Sequence, residues 1–145
     1  MAYHRKTASF REIDHTADTG LIVEGASLGD LFANAAYGMI HLLFGGRTIG
    51  EQMHREFHLT ETTAEELLVS WLSEINYQFL QEDFIAASFP ELNITDKGDC
   101  LELRAVASGD AVDGPEKEIK AVTYHKLYIR KLRNGRFEAR VIFDI

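Results

Sequence analysis

Between Leu28 and Leu43 the chain places Leu28, Leu31, Phe32, Ala35, Met39, Leu42 and Leu43 at intervals that line one side of an α-helix. Such a stripe is stable in water only against another apolar layer, so the rest of the chain has to provide one. The ends of the helix are marked as well. Ser27 stands three residues before Asp30, a capping-box-like start with Asp in place of the usual Glu, and Gly45-Gly46 offers the left-handed residue that commonly closes a helix. A second stripe, Leu67, Leu68, Trp71, Leu72, Ile75 and Phe79, follows Thr62 and Thr63, which precede Glu65 and Glu66 at capping-box spacing. Both stripes are expected to face the core.

The remaining signals are for strands. Residues 10–14 and 19–24 read as two short strands around the polar segment His15-Thr16-Ala17-Asp18, and the second stops at Gly25. Residues 55–60 alternate Phe57 and Leu59 against Glu56 and His58, as a half-buried strand does. Residues 92–95 and 101–107 flank Asp96-Lys97-Gly98-Asp99 and predict a hairpin, followed by a loop over 108–115. Residues 119–132 and 137–145 flank Asn134-Gly135, a pair that favours a type I′ turn because both residues tolerate positive φ. The predicted class is α+β, with two amphipathic helices packed on mainly antiparallel β-sheet. A chain of 145 residues suffices for one core, so 1–145 is expected to be a single domain.

Charge narrows the function. Fifteen Lys and Arg against 23 Asp and Glu leave a formal net charge of −8. Nucleic-acid binding draws much of its affinity from cations that neutralise phosphates, so no DNA contact is expected and any role on RNA would be indirect. No apolar run approaches the roughly 18 residues of a membrane helix, and residues 1–10 lack the apolar centre of a signal peptide, which predicts a cytoplasmic protein without a membrane partner. The lone Cys100 allows no internal disulfide and reads as a structural thiol. There is no phosphate-binding glycine loop, nucleophile elbow or two-histidine zinc helix.

Oxygen donors form the more informative constellation. Asp14 and Asp18 bracket His15-Thr16-Ala17, and the sequence closes Val141-Ile142-Phe143-Asp144-Ile145, placing Asp144 beside a terminal carboxylate. Two or three carboxylates with backbone carbonyls and water make an ordinary shell for calcium or another hard divalent cation. The plain alternative is that Asp14 and Asp18 cap turns and Asp144 is a solvated end. His15 and His125 lie among polar residues and could support such a site or serve as hydrogen-bonded structural residues. A metal-dependent hydrolase with Asp18 and Asp144 as ligands and His15 or His125 as base is one reading of this set. A general chaperone or scaffold that uses none of it is another.

The same residues carry a family likeness. Phe10-Arg11-Glu12-Ile13-Asp14-His15-Thr16-Ala17-Asp18, the helix after Ser27, residues 68–80, Ile119-Lys120-Ala121-Val122-Thr123-Tyr124-His125 and Val141-Ile142-Phe143-Asp144-Ile145 resemble the successive landmarks of the archease family over nearly the whole chain. The resemblance implies a small α+β protein that is not itself an enzyme. It implies instead an assistant to the GTP-dependent RNA-splicing ligase, which joins RNA ends bearing a 3′-phosphate or cyclic phosphate in tRNA splicing and RNA repair, promoting its guanylylation and multiple turnover. It implies calcium binding through Asp18, Asp144 and Ile145, and a place for Lys120 on the activating surface. The likeness departs over residues 110–118, which are acidic here and lack the His or Arg that relatives often carry.

Overall fold

The structure is a computed structural model and describes residues 3–4, 8–14 and 18–145. In chain order the elements are β1 (Tyr3–His4), β2 (Phe10–Asp14), β3 (Asp18–Gly25), α1 (Leu28–Phe44), β4 (Met53–Glu61), α2 (Ala64–Glu82), β5 (Phe84–Asp96), β6 (Leu101–Ala111), β7 (Ala121–Lys131) and β8 (Phe137–Asp144). Both helices begin at the caps their sequences carry. Ser27 Oγ accepts the Asp30 N–H at 3.1 Å, and Thr63 Oγ1 accepts the Glu66 N–H at 3.1 Å. Gly45, at φ 63°, closes α1 with its N–H on the His41 carbonyl at 2.7 Å.

The strands form two antiparallel sheets, one ordered β1-β5-β6-β4 and the other β2-β3-β8-β7. The helices lie between them: α1 packs on β3 and β2 of the second sheet and β5 of the first, and α2 on β7 of the second and β4 and β5 of the first. This position accounts for the composition of α1. With a sheet on either side, Leu31, Phe32, Ala33, Ala35, Ala36, Tyr37, Met39 and Ile40 are all buried, so the helix is apolar around most of its circumference rather than along one stripe. Trp71 joins the helices by donating its indole N–H to the Phe32 carbonyl at 3.0 Å, and it packs at 5.1 Å from the Phe57 ring and 5.2 Å from that of Phe89.

Three local expectations differ from what is found. Strand β5 begins at Phe84, well before residue 92, and runs through Pro90. Its register shifts between Ala86 and Glu91 accommodate the missing proline N–H, and the Phe89 N–H points instead to the buried Tyr37 hydroxyl at 3.3 Å. Strand β6 continues through Ser108-Gly109-Asp110 to Ala111, so the loop starts at Val112. Gly109 is part of that strand because a Cβ there would land on the Ile85 carbonyl oxygen of β5. The β7–β8 hairpin forms, but only Gly135 has positive φ, 84°, and Asn134 does not. The Gly135 N–H meets the Leu132 carbonyl at 3.0 Å and the Leu132 N–H meets the Arg136 carbonyl at 2.7 Å, as in a type I turn followed by a glycine bulge. Asn134 serves through its side chain, whose Oδ1 accepts the Arg136 N–H at 3.0 Å.

Candidate functional site

The register of β3 on β8 builds the site. Leu21 and Val23 of β3, with Ala139, Val141 and Phe143 of β8, are wholly buried against the helices. A one-residue slip would turn these side chains to the outside, so the apolar pattern dictates the pairing Thr19↔Phe143, Leu21↔Val141 and Val23↔Ala139. Gly20 lets the strands close: a Cβ there would sit 2.7 Å from Ile142 Cδ1 and 2.8 Å from the Val141 carbonyl oxygen. The rung that follows Thr19↔Phe143 is Asp18↔Asp144.

Residues directly opposite in an antiparallel pair carry Cβ atoms about 4.5–5.5 Å apart on one face, so two aspartates there can direct oxygens at one point. Asp18 is half-buried and Asp144 exposed, which leaves the point open to solvent. Ile145 follows directly and is 38% exposed. On the other side of β8, Ala121 of β7 is in register with Asp144, and the Lys120 N–H donates to the Asp144 carbonyl at 2.8 Å. Asp18, Asp144, Ile145 and Lys120, spread along the sequence, therefore meet at one end of one sheet.

The other expected residues are placed differently. Asp14 is in register with Thr19, one rung away from Asp18. His15 lies outside the described residues. His125 sits on a bulge of β7 between Thr123, opposite Ile142, and Tyr128, opposite Arg140, where Lys126 takes φ 52°. Its N–H is held by Thr123 Oγ1 at 3.3 Å, and its exposed side chain starts from the bulge rather than from the Asp144 rung. Cys100 is a free thiol in the β5–β6 turn, pushed up by burial first and by the neighbouring Asp99 carboxylate second, which suits an inert thiol.

The donor set is hard oxygen throughout, which fits calcium or magnesium and not the softer metals that prefer sulfur or imidazole. Among the described residues no three His, Cys, Asp or Glu side chains gather as a metal shell; the expected set has two, Asp18 and Asp144, and its third member is the main chain of Ile145. No helix among the described residues is long and apolar enough to cross a membrane.

Two sheets enclosing a helix pair, with Asp18 paired to Asp144 at one sheet end, define a small α+β domain. Residues 10–145 match the model of the Archease protein family. The archease of Methanosarcina acetivorans is 34% identical over 140 residues, covering 94% of this chain and 95% of that protein, and the archease of Thermococcus gammatolerans is 31% identical with 91% and 95% covered. The chain belongs to the archease family. The solution structure of Methanobacterium thermoautotrophicum protein 1598 superposes with a TM-score of 0.77 at 30% identity, covering 94% of this chain and 99% of that one. A crystal structure from Thermotoga maritima, described as an archease and possible chaperone, shares the fold with a TM-score of 0.60 at 21% identity over 93% of this chain and 96% of that one.

Proposed function

We propose that this chain is a cation-binding accessory protein that promotes guanylylation and multiple turnover of a GTP-dependent RNA ligase, the enzyme that joins 3′-phosphate or cyclic-phosphate ends in tRNA splicing and RNA repair. The reading rests on family membership, and the observation that carries it is the rung on which Asp18 stands opposite Asp144.

In this reading Asp18 and Asp144 hold a calcium ion, or another hard divalent cation, with the main chain of Ile145 completing the protein's share of the shell. The bound ion supplies positive charge that holds the carboxylates together and presents a cationic point on an acidic protein. Lys120, exposed beside the rung, adds a mobile cation suited to a carboxylate or phosphate of the ligase or its nucleotide. RNA enters only through the ligase, consistent with a net charge of −8. A partner shifts a conformational equilibrium only by its differential affinity, so a 10- to 100-fold acceleration needs a preference of about 1.4–2.8 kcal/mol for the guanylylation-competent ligase.

The test is to incubate the cognate ligase with GTP, with and without this chain, and to follow formation of the ligase–guanylate adduct. The expected result is a rate at least about tenfold higher with the chain. An unchanged rate contradicts the proposal.

A further inference from the structure

Asn76 is the polar residue in the buried stripe of α2, between Leu72 and Phe79, and is 6% exposed. Its Nδ2 donates to the Ile119 carbonyl at 2.9 Å. That carbonyl and the Lys120 N–H are the two ends of one peptide, and the Lys120 N–H donates to the Asp144 carbonyl at 2.8 Å. The Asp144 carbonyl in turn belongs to the peptide that leads into Ile145. Two hydrogen bonds and two rigid peptide planes thus run from the middle of a buried helix to the residues of the acidic rung. The 119–120 peptide precedes β7, which begins at Ala121.

We propose that Asn76 is a positioning residue of the cation site: by fixing the plane of the 119–120 peptide it sets where Lys120 leaves the surface and how the Asp144–Ile145 peptide is presented to the ion. The inference rests on the reading of Asp18, Asp144 and Ile145 as cation-binding residues. The energetics of Asn76 point the same way. Its Oδ1 is buried with no hydrogen-bond partner among the described residues, while its Nδ2 satisfies the carbonyl of the buried Ile119, a bond that an apolar residue on the same stripe would forfeit. The geometry also provides a control in the same molecule. Asn34 of α1, 5% exposed, donates its Nδ2 to the Glu24 carbonyl at 2.8 Å, near the end of β3 remote from Asp18.

The experiment is a calorimetric calcium titration of the full chain as native protein and as the Asn76→Leu, Asn34→Leu and Asp18→Asn variants, with hydrogen exchange of the Lys120 amide measured alongside. Asn76→Leu keeps an apolar side chain of similar size on the stripe; should it fail to fold, Asn76→Ser, too short to reach Ile119, takes its place. Removing groups that orient metal ligands lowers affinity by about 10- to 100-fold, and that loss is expected for the Asn76 variant together with faster exchange at Lys120. Asn34→Leu should bind as the native chain does. An Asn76 variant that binds calcium within twofold of native, or an Asn34 variant that loses as much affinity, overturns the positioning role. A native chain that binds no calcium, or an Asp18→Asn variant that binds as native, overturns the cation site itself. That failure is distinguishable because it appears without reference to Asn76, and it removes this inference with it.

Discussion

Asp18 stands directly opposite Asp144 on the last rung of the β3–β8 ladder. Like charges in that relation destabilise a sheet by an amount on the scale of cross-strand pairs, roughly 0.2–1 kcal/mol, unless a cation lies between them. Asp18→Asn removes that repulsion and one proposed cation ligand together. The native chain should gain stability with calcium as RT ln(1 + [L]/Kd), about 2.7 kcal/mol at a hundredfold excess over Kd, and the variant should not. Melting curves with calcium and with a chelator check both. An equal calcium-dependent rise in the two proteins would rule out Asp18 as a ligand.

Lys120 is exposed, and its main-chain N–H ties it to Asp144. Lys120→Ala is expected to leave calcium affinity within about twofold, since an ammonium is no ligand for a cation, while lowering ligase guanylylation at least tenfold. Calcium titration and the adduct assay, run on one preparation, separate the two effects. Full activation by the variant would show an ordinary surface lysine.

Periodicity and capping chemistry made most of the fold legible. The stripes at 28–43 and 67–79, the caps at Ser27, Thr63 and Gly45, and the hairpins at 96–100 and 132–136 all reflect chemistry within a few residues of chain. What stayed hidden depends on distant partners. The start of β5 was obscured by Pro90, which lies where the register of that strand shifts. The end of β6 looked like a loop because Gly109 answers to the approach of Ile85 rather than to a turn. For the site, the residue types of Asp18 and Asp144 were legible, but their meeting is a register, which no local pattern contains. Asn76 left one legible sign, an amide on an apolar helical stripe, whose meaning depends on the distant Ile119 carbonyl.

Gly109→Ala should be among the most damaging single-methyl additions in the chain, because the new Cβ meets the backbone of Ile85 and Ala86 and no side chain can move aside. The expected loss is at or above about 3 kcal/mol, the top of the ordinary range for over-packing. Gly46→Ala, where nothing lies within 4 Å of the added carbon, should cost less than about 1 kcal/mol. Urea unfolding of the two variants compares them, and equal midpoints would contradict the packing of β5 on β6.

On the outer face of the first sheet, Glu102 receives His58 Nε2 at 2.9 Å and pairs with Lys97 Nζ at 3.4 Å. The hydrogen bond from His58, foremost, holds its carboxyl below the usual carboxylate value. A carboxyl depressed in the folded state contributes stability that is complete above its unfolded value and is lost as pH falls through the folded one. This contribution is thus present at neutral pH and disappears in acid. Following Glu102 by NMR titration, His58→Ala should move its titration upward toward the ordinary range; an unmoved midpoint would mean that His58 contributes nothing.

The most direct measurement counts RNA joining events per molecule of ligase, with GTP and RNA in excess, in the presence of the native chain, of Asp18→Asn, or of neither. Many joining events per ligase are expected with the native chain, and about one or fewer with Asp18→Asn or with no added chain. Equal turnover in all three mixtures, or equal stimulation by native chain and variant, would contradict this expectation.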